Sequence, residues 1–313
     1  MKTDDFPIDG VIDLTRKGLS AKDVGPYLVD LWAELKDAQI NALLLEALIK
    51  RYSSSEKKLH ELTTSLRIKQ NALLEDIGAA AAIQQTLLPQ NLPVSGVIDA
   101  AWEYLPCEQI GGDIVHVSPI NKDNWAVYVV DVAGHGPRAA MITVAIAQFL
   151  QSSAEDLLMS PENVMLSLDQ AFPFTRFNSF FTVIYGVQNL HDRIFRFCNS
   201  GHPLPVFMEP GKFPRFVEGN GPMLGLGLPL TWPEISVELR PDTGLMLYTD
   251  GLVECVNASG QSFGDDRLLQ MLERLQGKSA SETVSQIMRE MRLFMGETQF
   301  QDDFTLLLGK GIG

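Results

Sequence analysis

The sequence predicts an α+β fold, a largely antiparallel β domain with helices that is preceded by an N-terminal helical, coiled-coil-like segment. Three observations predict it. From Leu28 to Ala80, apolar residues recur at alternating spacings of three and four, the period of a heptad seam. Pro89 and Pro93 then close that pattern, because proline lacks an amide donor and restricts the residue before it. Beyond them the apolar period shortens towards two, and runs of strands are followed by helices, the order of an α+β chain.

Residues 1–25 carry Gly10, Gly18 and Gly25 and no strong periodicity. The seam follows as Leu28, Leu31, Leu35, Ala38, Ala42, Leu45, Ile49 and Tyr52, then Leu59, Leu66, Leu73, Ile77 and Ala80, interrupted by Glu56, Thr63 and Gln70. Ser53-Ser54-Ser55 is a weak spot where the helix could break into a hairpin. Two readings fit the seam: helices folded on themselves as a small bundle, or a parallel coiled coil that joins two chains as a homodimer. Either makes residues 1–88 a helical regulatory or dimerisation segment and 89–313 a separate domain.

In that second domain the expected strands are Val97–Tyr104, Trp125–Val130, Phe181–Val187, Arg193–Asn199, Leu204–Met208, Arg215–Glu218, Ile235–Leu239, Leu245–Tyr248 and Phe304–Leu308. The expected helices are Pro137–Gln151, Pro161–Ala171, Asp265–Leu275 and Ala280–Met295. The first two open on proline, which suits the first helical position.

At 313 residues and 45% apolar content the chain suits one large or two modest soluble domains. A formal net charge of -14 argues against nucleic acid or an anionic membrane as partner. Cys107, Cys198 and Cys255 are scattered without CxxC spacing, so neither a zinc site nor a disulfide framework is expected. The acidic start, Met1-Lys2-Thr3-Asp4-Asp5, is not followed by an apolar stretch, and no run approaches a membrane span. A reducing cytoplasm, with no membrane insertion, is therefore the expected location.

Four aspartate motifs end or begin the apolar runs: Gly111-Gly112-Asp113, Asp131-Val132-Ala133-Gly134-His135-Gly136, Tyr248-Thr249-Asp250-Gly251 and Gln301-Asp302-Asp303-Phe304-Thr305. One such Asp is a turn or a helix cap by default. Four at one sheet edge are different, since each carboxylate pair about 4 Å apart costs roughly 4 kcal/mol at an effective dielectric of ~20. Such a cluster persists with cations or protons, and all-oxygen donors suit Mg²⁺ or Mn²⁺. Other catalytic signatures are missing: there is no GxxxxGK[ST], no HExxH and no GxSxG. His135 and His202 each follow glycine, and structural or supporting roles are expected for both.

In order and wording, the motifs from about Ala82 to Gly309 resemble the PPM-type metal-dependent serine/threonine protein phosphatases, in the bacterial branch typified by RsbU and SpoIIE. The matching segments are Ala82-Ile83-Gln84-Gln85-Thr86-Leu87-Leu88-Pro89, the Gly-Gly-Asp motif, Asp131–Gly136, Phe180-Phe181-Thr182-Val183, Asn199-Ser200-Gly201-His202-Pro203, Met223-Leu224-Gly225-Leu226, Tyr248–Gly251 and Asp302–Thr305. The resemblance implies an α-β-β-α sandwich of two mainly antiparallel sheets flanked by helices, with two Mn²⁺ or Mg²⁺ ions at one end. It assigns Asp131 to both ions, Asp250 and Asp302 to one, and Asp113 with the Val132 carbonyl to the other, leaving Asp303 outside the set. It makes Asp131 and Asp250 catalytic through a metal-activated water that attacks phosphorus directly. Many members carry a second Asp where this chain has His116. The implied substrate is a phosphoserine or phosphothreonine on an anti-anti-sigma (STAS-type) regulator. Separately, the seam runs without an obvious break into Ala82–Leu88, which suggests control by an upstream activator that changes the packing of the N-terminal helices and so shifts that segment against the metal site. The competing reading is a catalytically silent adapter of the same fold.

Overall fold

The computed structural model describes residues 21–90, 92, 96–227, 230–298 and 300–313. By its internal contacts the chain divides into two units, Met1–Leu73 and Leu74–Gly313. The described part of the first is one α-helix, α1 (Ala21–Gln85), which also runs on into the second. It passes through Ser53–Ser55 without a break, so the expected hairpin is not found there: serine has only a modest helix penalty, and the flanking residues are good helix formers. In the first unit the seam side chains, among them Leu35, Leu45, Ile49, Leu59 and Leu66, are exposed. No described helix is long and apolar enough to cross a membrane.

The second unit is built on two five-stranded sheets in which neighbouring strands are antiparallel. Its elements are β1 (Ile98–Leu105), β2 (Asp113–Pro119), β3 (Asn124–Val132), α2 (Pro137–Gln151), α3 (Glu155–Leu158), α4 (Pro161–Ala171), α5 (Phe174–Phe177), β4 (Phe181–Asn189), β5 (Ile194–Ser200), β6 (Val206–Met208), β7 (Arg215–Phe216), β8 (Ile235–Glu238), β9 (Gly244–Tyr248), α6 (Gly251–Glu254), α7 (Asp265–Arg274), α8 (Ala280–Met295) and β10 (Phe304–Gly311). One sheet has the order β1-β10-β9-β6-β7, the other β2-β3-β4-β5-β8.

Both sheets are buried on two faces, which is why their central strands read as unbroken apolar runs. Along β9 and β10 the faces alternate. Met246, Tyr248, Phe304, Leu306 and Leu308 pack with Leu268, Met271, Ile287 and Met291 of α7 and α8. Leu245, Leu247 and Leu307 point the other way, into the core shared with Val115, Val117 and Val129 of the second sheet. The second sheet is covered in turn by Ile142, Ile146, Leu150, Val164 and Leu168 of α2 and α4. The result is the expected α-β-β-α sandwich. α8 starts at a capping box in which Ser279 Oγ accepts from the Glu282 amide and Glu282 accepts from the Ser279 amide.

One expected gap is filled. Asp113–Pro119, absent from the expected strands, is β2, an edge strand paired with β3 from Asp113↔Asp131 to Pro119↔Trp125. His116 and Ser118 alternate with Val115 and Val117 there, so the apolar signal is short and broken. Its Pro119 stands at the strand end, where a lost amide donor is tolerated.

Candidate metal centre

The acidic motifs lie where strand ends meet. Asp113 opens β2 and is the register partner of Asp131 near the end of β3, which in turn faces Thr182 on β4. Directly opposed residues point to the same side of a sheet, so these three form one row. That row faces the other sheet: Thr305 of β10 donates its hydroxyl hydrogen bond to Asp113 Oδ2 at 2.7 Å. From that other sheet come Asp250, just beyond β9, and Asp302, just before β10.

The electrostatics of this end are those of like charges held together. Burial pushes the Asp131 carboxyl up to about 7, and Asp250, Asp302, Asp303 and Glu254 add repulsion. Asp250 is raised to about 6, by burial first and then by Glu254 and Asp302. Asp113, wholly buried, is raised well above the usual carboxylate range by desolvation, then by Asp131 and Asp303. None of the ion pairs among the described residues involves these acids. As placed, no three acidic, His or Cys side chains among the described residues close into a ready ligand shell. The chemistry nonetheless suits a hard divalent cation: all-oxygen donors, mutual repulsion and no neutralising Lys, Arg or His.

The two members of the Asp302-Asp303 pair differ sharply. Asp303 is buried, and its carboxylate accepts from the amides of Cys107, Gly112 and Asp113. It pins the loop before β2 to the start of β10 and has little capacity left for a ligand. Asp302 is exposed and, among the described residues, accepts from the Asp303 amide at 2.8 Å. Glycine is required where these loops touch: a Cβ on Gly251 would lie 2.0 Å from the Asp303 carbonyl, and one on Gly112 2.8 Å from the Val132 carbonyl.

Gln84, within the Ala82–Pro89 segment, is anchored beside the acidic row. It is buried; Nε2 donates to the Gly111 carbonyl at 2.7 Å, while Oε1 accepts from the Gly111 amide at 3.3 Å and from Tyr104 Oη at 3.2 Å. The last turn of α1 is thus clamped to the residue two before Asp113. Carrying the heptad frame one repeat past Ile77 lands on Gln84, and a polar residue at a seam position was the available signal.

The histidines fall outside the row. His116 lies three residues after Asp113 on β2 and so on the opposite face; its Nδ1 meets the Leu87 carbonyl at 2.7 Å. It does not stand where a second ligand would. His135 Nδ1 pairs with Glu108 Oε1 at 3.0 Å, both half-exposed. His202 is buried, with Nδ1 2.7 Å from Thr182 Oγ1 and its backbone clamped on both sides by Asn199. Burial lowers it to about 3, so it is neutral; the Tyr248 backbone acts in the opposite direction, and Nε2 closes no hydrogen bond of normal geometry.

Comparison with known proteins identifies the family and the fold. Residues 121–310, more than half of the chain, match the family model described as Stage II sporulation protein E (SpoIIE). Phosphoserine phosphatase RsbU of Bacillus subtilis is 27% identical over 247 residues, covering 78% of this chain and 72% of RsbU. Among solved structures, the SiaA-PP2C domain of Pseudomonas aeruginosa superposes with a TM-score of 0.69 at 21% identity, over 77% of this chain and 98% of that one. RsbX in complex with magnesium matches with a TM-score of 0.52 at 18% identity, over 71% and 98% of the two chains. At those identities the two structures speak for the fold.

Proposed function

The chain belongs to the SpoIIE family of PP2C-type phosphatases, and on that premise we propose that it hydrolyses a phosphoserine or phosphothreonine of a regulatory protein, with divalent cations held by the acidic row. The observation that carries this reading is the convergence of Asp113, Asp131, Asp250 and Asp302 without a counter-cation. Asp131 would serve two cations, Asp250 and Asp302 one of them, and Asp113 with the Val132 carbonyl the other. When bound, such cations lower the pKa of water and offset charge on phosphoryl oxygens.

The chain's own residues do the positioning. Thr305 fixes the Asp113 carboxylate, Asp303 holds the Gly-Gly-Asp loop by its amides, and Gln84 fixes Gly111. The phosphoryl group passes to water directly. The name of RsbU, a phosphoserine phosphatase, supports the substrate class, and a STAS-type regulator is the partner we assign.

Gln84 also suggests how the enzyme is controlled. A signal that repacks α1, acting through an upstream activator or through pairing of two chains along the exposed seam, would move Gln84 against Gly111 and so displace Asp113. The test of function is phosphate release from a phosphoserine peptide by the full chain with Mn²⁺ against EDTA, with Asp131→Asn as control. Metal-dependent release lost in the mutant is the expected result. No release under any metal, with the peptide still bound, would favour the silent adapter.

A further inference from the structure

The segments Phe180–Val183 and Met223–Leu226 supply no ligand to the acidic row, yet the fold joins them beside it. Phe181 and Leu224 exchange backbone hydrogen bonds, the Leu224 amide lying 3.0 Å from the Phe181 carbonyl. The Gly225 carbonyl accepts from the Phe174 amide at 2.8 Å. The Gly225 amide donates to the buried Asp169 Oδ1, also at 2.8 Å. A Cβ on Gly225 would lie 3.2 Å from the Phe172 carbonyl and 3.3 Å from that of Ser179, and its φ is +93°, so glycine lets the three backbones close up. The Phe180 carbonyl in turn accepts from the Ala133 amide at 3.1 Å, two residues beyond Asp131.

Around this junction stand three large apolar side chains open to solvent: Phe174, Phe180 and Leu226 are 42%, 38% and 42% exposed. One such residue is ordinary on a surface, whereas several at one place mark an interaction site. Two guanidiniums stand with them. Arg138 donates to the carbonyls of Phe177 and Asn178 at 2.9 and 2.8 Å, and Arg176 lies over the Phe177 ring. Neither joins an ion pair among the described residues, on a chain of net charge -14. Aromatic and Arg side chains are what the centres of protein interfaces are enriched in. A recess of about 220 Å³ adjoins the junction, lined by Gly134, Arg138, Ala139, Ile142, Asn178 and Ser179. It is smaller than the roughly 300–1,000 Å³ of small-molecule sites and suits one side chain of a protein.

We propose that this surface docks the phosphorylated protein substrate through an apolar residue and carboxylates close to its phosphoserine. The apolar side chain packs among Phe174, Phe180 and Leu226, and the carboxylates pair with Arg176 and Arg138. Because Phe180 is bonded to the loop that follows Asp131, a partner seated there carries its phosphoserine to the acidic row. The consequence for turnover rests on the phosphatase reading; the binding does not.

The test measures kcat/KM of the full chain with Mn²⁺ on a phosphoserine peptide carrying Leu and Asp on both sides of the phosphoserine, on the same peptide with Lys for Asp, and on p-nitrophenyl phosphate. The overall field of an acidic chain attracts the lysine peptide, so a preference for the aspartate peptide reports the local guanidiniums. The native chain should favour the aspartate peptide by about threefold, and Arg176→Glu should reverse that preference. Phe174→Ser should lower kcat/KM on the aspartate peptide about tenfold. Both side chains are exposed, so Tm and turnover of p-nitrophenyl phosphate, too small to reach the patch, should stay unchanged in both variants. A native chain that prefers the lysine peptide, a preference that survives Arg176→Glu, or p-nitrophenyl phosphate turnover lost along with the peptide's would each overturn the docking surface. Variants that alter only self-association in light scattering would make the patch a contact between copies of the chain and overturn it likewise. A native chain without Mn²⁺-dependent turnover of p-nitrophenyl phosphate removes the phosphatase reading instead. Fluorescence anisotropy of the labelled aspartate peptide then decides the surface: binding weakened by Phe174→Ser retains it, and binding that is absent or undiminished overturns it.

Discussion

Replacing Asp131 by Asn should stabilise the metal-free protein at alkaline pH, although it removes a residue assigned to catalysis. In the fold the Asp131 carboxyl is raised from 3.8 to about 7, chiefly by burial. A folded pKa above the unfolded one means that the native state binds more protons than the unfolded state between about pH 4 and pH 7, so stability falls as pH rises through that window. Three units at 1.36 kcal/mol each give an upper bound of about 4 kcal/mol lost by pH 8. Asn never ionises and avoids the loss. For a domain of this size 1 kcal/mol moves Tm by about 2–4 °C, so after solvent relaxation a gain of about 5–10 °C over the native chain is expected at pH 8, falling to less than half of that at pH 5 because the loss sets in only above the unfolded carboxyl's range near pH 4. Scanning calorimetry in EDTA across pH 5 to 8.5 measures it. An unchanged difference across pH, or a mutant less stable at pH 8, would refute the electrostatic account of this site.

Three further outcomes follow from the structure. Gln84→Ala strips both hydrogen bonds from Gly111; it should cost about 1–3 kcal/mol of stability and raise the Mn²⁺ concentration needed for half-maximal phosphate release, read by a metal titration of rate. Gly309→Ala should stabilise by about 0.5–1 kcal/mol in urea, because Gly309 lines an apolar gap between the sheets and an added Cβ would meet Leu239 and Ile98 at ordinary distances of 3.8 and 3.9 Å. Leu59→Asp, at an exposed seam position of α1, tests the proposed pairing of two chains along the seam: light scattering is expected to show a dimer for the native chain and a monomer for the variant, with the Tm of the sandwich unchanged.

How far the sequence spoke depended on how many faces of each element are buried. α2, α4 and α8 were legible to the residue, with proline or a capping box at their starts. β9 and β10 were legible because both faces are covered. β2 was not, because polar residues on one face hide a strand whose other face lies in the core. With β2 missing, the cross-strand pairing of Asp113 with Asp131 could not be read, although both aspartates could. The opposite fates of Asp302 and Asp303 are decided by three backbone amides from a loop almost two hundred positions earlier in the chain, and no local pattern encodes that. The side of the strand on which His116 stands likewise needed the register.

The most direct test of the central claim counts cations. Equilibrium dialysis of the full chain against Mn²⁺ at pH 7.5, with bound metal measured by mass spectrometry, should find two ions per chain, with Asp131→Asn losing both or binding them far more weakly. A chain that retains no Mn²⁺, or an Asp131→Asn variant that binds it undiminished, would contradict the assignment of the acidic row as a metal centre.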